Sequence, residues 1–173
     1  MKRSLKIILI LVVIVVTIVN IPIIGGLFLP KSHKITKTLF LNYDPENIWV
    51  YINNVEHYPQ WRPSVKKVEV VSTNPAGLTS WQEYYRFNSR TMFQITESVP
   101  YSEMVIKTAD RESYYSCKWN ISIKEAENGT LLTIVEEGEI YNPLFRSIAK
   151  LKGIDKPLND YLSDLKNGLS HQH

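Results

Sequence analysis

The sequence predicts an α+β fold, an antiparallel sheet wrapped around a long C-terminal helix and preceded by one N-terminal transmembrane helix. Three observations carry this. Residues 7–29 contain no charged side chain. Six strand-like runs then succeed one another between Lys66 and Glu139, with connections short enough to imply antiparallel neighbours. After Pro143, leucine and isoleucine recur at three- and four-residue steps to Leu169, the spacing of one helical face. A length of 173 residues with 44% hydrophobic and 21% charged content suits a single globular unit.

The apolar run comes first. As a helix, Ile7–Leu29 spans roughly 34 Å, enough to cross the hydrocarbon of a bilayer. Lys2, Arg3 and Lys6 precede it and favour an inside N-terminus, while Lys31, Lys34 and Lys37 compete on the other side; the expectation is a domain on the extracytoplasmic side. A cleaved signal peptide has a shorter apolar core ending in small residues spaced A-x-A, whereas only Gly25 and Gly26 are small here. The expectation is an uncleaved anchor over residues 1–31 and a domain over 32–173.

Charge supports this division. The net +3 comes from 20 basic and 17 acidic residues. Lys2, Arg3, Lys6 and Lys31 flank the apolar run, which leaves 16 basic against 17 acidic residues beyond it. The basic balance therefore belongs to a membrane flank and gives no support to a nucleic-acid groove.

In the rest of the chain, Lys34–Tyr43 alternates as a strand. Asp44 and Pro45 then suit the N-cap and first position of a helix whose Ile48, Ile52 and Val55 form one stripe. The corner His57-Tyr58-Pro59-Gln60-Trp61-Arg62-Pro63 is a turn or very short helix. Strands are expected at Lys66–Ser72, Thr79–Phe87, Arg90–Ser98, Glu103–Ala109, Ser113–Glu125 and Thr130–Glu139. In the fifth of these, Tyr115, Cys117, Trp119, Ile121 and Ile123 share a dry face and Ser116, Lys118, Asn120, Ser122 and Lys124 a wet one. Asn142 is the expected cap of the terminal helix, with a kink where Gly153 and Pro157 interrupt it.

This order resembles the START-like, or SRPBCC, superfamily with its helix-grip fold, in particular its membrane-anchored, polyketide cyclase/dehydrase-like members. The resemblance rests on "GLFLPKSHKITKTLFLNYDPENIWVYINNVEHYPQW", "QITESVPYSEMVIK", "NGTLLTIVEEGE" and "GIDKPLNDYLSDLKNGL". It implies an apolar cavity between sheet and terminal helix that takes a small hydrophobic or lipid-like ligand, and it implies catalysis, by cyclisation or dehydration, only in a minority of relatives.

His57, Tyr58, Trp61 and Arg62 form either a catalytic cluster or the plug between short helix and sheet. The second is expected, with Trp61 at the cavity lip. Ile134 and Glu136 follow Leu132 on one face of their strand, so Glu136 either lines the cavity as a desolvated carboxylate or bends away at Gly138 to reach water or Arg86. Along "SWQEYYRF", either Trp81, Glu83 and Tyr85 or Gln82, Tyr84 and Arg86 point inward. The resemblance favours the second set. The expected ligand pocket is therefore Trp61, Gln82, Tyr84, Arg86, Tyr115, Trp119, Ile134 and Glu136. No catalytic constellation is assigned, although Glu136, Glu83 or a tyrosine could serve as acid or base.

No metal and no cofactor are expected. His33, His57, His171 and His173 lack ligand spacing, and no Gly-rich phosphate loop occurs. Cys117, the single cysteine, is expected to be a buried inert thiol in a chain without disulfides. The expected state is a monomer.

Overall fold

The structure is a computed structural model that describes residues 2–110 and 114–171. Seven strands form one antiparallel sheet in the order β1-β7-β6-β5-β4-β3-β2. They are β1 (Ser32–Leu41), β2 (Lys67–Thr73), β3 (Thr79–Tyr84), β4 (Arg90–Val99), β5 (Glu103–Thr108), β6 (Tyr115–Ala126) and β7 (Gly129–Ile140). Tight turns make β2 to β7 a meander, and β1 closes on β7. The predicted start of β6 at Ser113 and the predicted tail histidine His173 lie outside the described residues. Register shifts at Val70/Ser72 and Ile95/Glu97 insert bulges that bend the sheet.

Helices α2 (Pro45–Asn53) and α3 (Tyr58–Trp61) fill the crossover from β1 to β2. Pro45 opens α2 as expected, but Asp44 makes no side-chain capping bond. The expected terminal helix is two helices, α4 (Pro143–Lys152) and α5 (Lys156–Ser170), because Gly153 turns the chain with a φ of +90°. Asn142 caps α4, its Oδ1 accepting from the Leu144 amide at 2.9 Å. In α5, Leu158, Tyr161, Leu162, Leu165 and Leu169 are buried. They meet Ile48, Ile52, Leu132, Ile134 and Trp81 in one core over the concave face of the sheet.

The chain begins with α1 (Lys2–Leu27), a 26-residue helix interrupted in sequence by Pro22. Leu5 to Ile14 expose their apolar side chains. Within the described residues, no helix is long and apolar enough to cross a membrane.

The end of α1 is fastened to α4. Ser147 Oγ donates to the Pro22 carbonyl at 2.6 Å, and buried Arg146 donates from Nη1 to the Leu29 carbonyl at 2.9 Å. Gly26 permits this approach, since a Cβ there would lie 1.8 Å from the Pro143 carbonyl oxygen. One turn further, the Lys31 carbonyl accepts from the Ile140 amide. No flexible linker separates α1 from β1.

Candidate functional site

The corner between α2 and β2 builds the first half of the site. A 3-10 turn (Val55–His57) and α3 direct Tyr58 and Trp61 beneath α5 and leave His57 exposed. Tyr58 Oη donates to the Ile52 carbonyl at 2.8 Å. Trp61 packs against Tyr51, Tyr58 and Tyr161 at centroid distances of 5.2, 5.2 and 5.6 Å. The corner is therefore an aromatic plug, not a catalytic cluster around His57.

Behind the plug lies a buried ion pair. Arg62 Nη1 donates to Glu83 Oε1 at 2.7 Å. The same carboxylate accepts from Trp81 Nε1 at 3.1 Å and from Tyr85 Oη at 2.7 Å. The Arg62 guanidinium also sits over the rings of Tyr58 and Tyr161, 4.9 and 5.3 Å from their centroids. Burial alone would lower the Arg62 pKa, but Glu83 and the neighbouring tyrosines raise it above its ordinary value. Burial and then the Glu83 carboxylate push the Tyr85 hydroxyl well up.

This geometry corrects the expected facing of β3. Trp81, Glu83 and Tyr85 point inward. Gln82 and Tyr84 lie on the outer face, where Tyr84 Oη donates to Glu69 and to Gln82, and Arg86 is exposed beyond the strand. The physical signal was present, since Trp81 and Tyr85 make their set the more apolar one, and the polar alternates prefer water.

The second half of the site is centred on Glu136. β7 runs straight through Gly138 to Ile140, so Glu136 stays on the inward face with Leu132 and Ile134 and is buried. Its partners are Trp119 Nε1, donating at 2.7 Å, and His33 Nε2 at 3.0 Å. Arg86 and bulk water, the alternatives raised by the sequence, are not its partners. Gly138 makes room for the imidazole, as a Cβ there would lie 2.5 Å from His33 Cε1. His33 was missed because its pairing with Gly138 across β1 and β7 is a matter of register.

Between these centres, Tyr115 and Thr91 share a hydroxyl contact of 3.2 Å. Cys117 neighbours Glu136, and burial followed by that carboxylate pushes its thiol well up. Among the described residues, no cluster of three or more His, Cys, Asp or Glu could hold a metal ion.

The interior is unevenly covered. Ile121, Ile123 and Leu132 at the far end of the sheet are sealed, and so is Trp81, which lies in the cross-strand row of Phe93 and Thr108. Tyr85, Tyr115, Cys117 and Trp119 face inward near the α1 end and are mostly but not fully covered. The open hollow expected under the terminal helix is instead filled by Tyr58, Trp61, Trp81, Trp119 and Tyr161. Surface clefts of about 330 and 500 Å³ lie along Asn42 and Tyr43 at the far end, away from both carboxylates. The buried Trp61 Nε1 donor has no acceptor, and buried His33 Nδ1 and Arg146 Nε make no hydrogen bond. Tyr161 Oη is within electrostatic reach of Tyr58 but makes no well-formed hydrogen bond.

A bent antiparallel sheet gripping a C-terminal helix, with an aromatic and carboxylate-floored interior, defines a helix-grip domain of the START type. The chain belongs to the family described as polyketide cyclase/dehydrase and lipid transport, whose model matches residues 41–150. No curated protein matches it in sequence.

Solved structures share the fold. A START superfamily protein from Mycobacterium smegmatis aligns with a TM-score of 0.65 at 16% identity, over 82% of this chain and 99% of that one. The Zhui aromatase/cyclase from Streptomyces sp. R1128 aligns with a TM-score of 0.67 at 8% identity, over 82% and 95%. The di-domain aromatase/cyclase StfQ from the steffimycin biosynthetic pathway aligns with a TM-score of 0.65 at 12% identity over 79% of this chain, which spans about half of StfQ.

Proposed function

We propose that this protein is a membrane-tethered helix-grip domain that binds a small hydrophobic or lipid-like ligand on the concave face of its sheet. The observation that carries this is the incompletely covered inner face of Tyr85, Tyr115, Cys117 and Trp119, together with the buried acceptorless indole N–H of Trp61. A buried donor without a partner costs on the order of 1–3 kcal/mol, and a ligand carbonyl or hydroxyl removes that cost. The ligand therefore has an apolar body and at least one acceptor. Trp61, Trp119, Tyr115, Ile134 and Glu136 remain its proposed contacts; Gln82, Tyr84 and Arg86 do not.

In this reading residues 1–31 form an uncleaved anchor, with residues 7–29 in the bilayer and residues 32–173 on the extracytoplasmic side. The uncharged run and its basic N-terminal flank support it. Tethering raises the local concentration of a membrane-resident ligand.

The test isolates the full chain from its native membrane in lipid nanodiscs and analyses bound molecules by mass spectrometry. A single apolar molecule enriched over bulk lipid, and lost in Trp119→Ala, is expected. Recovery of bulk lipid alone, equal in both proteins, rejects ligand binding.

The His33–Glu136 contact favours a second reading, a cyclase or dehydratase that uses Glu136 as acid or base with His33 as its proton partner. Here Glu136→Gln retains an unreacted precursor in place of the molecule held by the parent protein. The same molecule in both rejects catalysis.

A further inference from the structure

The joint between α1 and α4 holds a buried cation and no anion. Neither helix contains an Asp or a Glu. Arg146 nevertheless lies inside the joint, only 6% exposed. Side chains on a helix tilt towards its N-terminus, so the guanidinium is directed back to the chain that leaves α1. There Nη1 donates to the Leu29 carbonyl at 2.9 Å. Nε is buried and makes no hydrogen bond. Among the described residues, no carboxylate forms an ion pair with Arg146. The acidic residues that flank α4 in sequence are engaged elsewhere. Glu139 is exposed and accepts from Ser32 Oγ at 3.4 Å, and Asp155 pairs with Lys37 at 2.7 Å.

Arg62 shows what an interior arginine receives in this fold. It is less deeply buried than Arg146, yet it has Glu83 at 2.7 Å and two tyrosine rings beneath its guanidinium. Arg146 has one backbone carbonyl. The C-terminus of α1 adds a partial charge of about −0.5 from its last carbonyls, which offsets only part of a guanidinium. A buried charge left without a counterion is strongly destabilising, and no rearrangement of two helices that lack carboxylates can supply one.

The unused donors have a defined shape. Nη1 is engaged by Leu29, which leaves the edge formed by Nε and Nη2. That edge takes two oxygens of one carboxylate or phosphate through parallel N–H···O bonds. Lys31, two residues beyond Leu29, adds a second positive charge at this end of α1.

We propose that Arg146 and the end of α1 form a binding site for an oxyanion, a carboxylate or phosphate group held through Nε and Nη2. The bound group supplies the negative charge that neither helix contains and ties α4 to the chain leaving α1. It is carried either by the acidic head of an amphiphile or by a free anion. The inference does not depend on the ligand proposed for the inner face of the sheet.

The test uses the full chain in nonionic detergent micelles, with isotope-labelled arginine, at constant ionic strength set by chloride. Inorganic phosphate, dodecyl phosphate and dodecanoate are titrated separately. The Arg146 Nε–H resonance is assigned by its loss in Arg146→Lys and, independently, by its nuclear Overhauser contacts to Leu29. On saturation the resonance should move downfield, and its exchange with water should slow by about tenfold. Amide exchange in α4 should slow with it. Arg146→Lys keeps a charge beside the Leu29 carbonyl but has no two-pronged edge, so its α4 should gain no such protection.

A response to inorganic phosphate assigns the site to a free anion. A response to dodecyl phosphate or dodecanoate alone assigns it to the head of an amphiphile. An Nε–H resonance that moves with none of the three overturns the proposal and leaves Arg146 as a cap on the last carbonyls of α1. Equal protection of α4 in Arg146→Lys and the parent protein also overturns it, because the anion then binds elsewhere.

Discussion

Arg62 and Glu83 form a buried ion pair, Nη1 to Oε1 at 2.7 Å, that joins the corner after α3 to the centre of β3. Its carboxylate also takes hydrogen bonds from Trp81 and Tyr85, so three side chains are positioned by one charge. The value of such a pair lies less in net attraction than in the cost of breaking it.

Removing one partner should therefore be far worse than removing both. Arg62→Ala leaves Glu83 charged in the core and should cost about 3–5 kcal/mol, a fall in melting temperature of roughly 10 °C for a domain of this size. The double variant Arg62→Met/Glu83→Leu should recover most of that loss. Thermal denaturation followed by circular dichroism measures both, and equal losses in the two proteins would show that the charge pairing is not the cause.

The His33–Glu136 contact depends on the bare backbone at Gly138. Gly138→Ala should push the imidazole away and leave Glu136 with Trp119 alone, at a cost of about 1–3 kcal/mol. The His33 ring resonances in an NMR spectrum should move towards those of a free histidine. Unchanged resonances would mean that the ring does not lie over Gly138.

Cys117 should be unreactive in the folded protein. Burial and the nearby Glu136 carboxylate both disfavour its thiolate and raise its pKa above the ordinary 9.0. An aromatic disulfide reagent at mildly alkaline pH should titrate no thiol until denaturant is added. Rapid modification of the native protein would contradict the stated environment.

Alkaline pH should unfold the domain cooperatively. Burial raises the pKa of Tyr58, Tyr85, Tyr115 and Tyr161 above the ordinary value of 10.0. Above that pH the unfolded chain has released protons that the folded chain still holds. Stability is thus full below pH 10.0 and falls as pH rises towards the folded-state values. Tyrosinate absorbance should rise together with loss of circular dichroism. Stepwise tyrosine ionisation without unfolding would exclude burial as the cause.

Gly26→Val should unseat α1 from α4 while leaving the sheet intact. The added atoms meet the Pro143 backbone, which cannot move without breaking the Asn142 cap. Amide exchange should quicken in α4 by at least tenfold, about 1.4 kcal/mol of local opening, and stay unchanged in β6 and β7. Uniform quickening throughout would mean that α1 is part of the core.

Alternation and helical spacing, read from residue order alone, determined the element order, the antiparallel sheet and the inward face of β6. Local pattern is sufficient there, because a strand with five apolar-facing and five polar-facing residues has only one stable orientation over a core. Asn142 was likewise legible as a cap, since capping needs only the two residues that follow. The facing of β3, the His33–Glu136 partnership and the aromatic filling of the expected hollow were decided only by tertiary structure. Each depends on register across strands or on side-chain volumes meeting from separate elements. No local stretch of sequence contains either quantity.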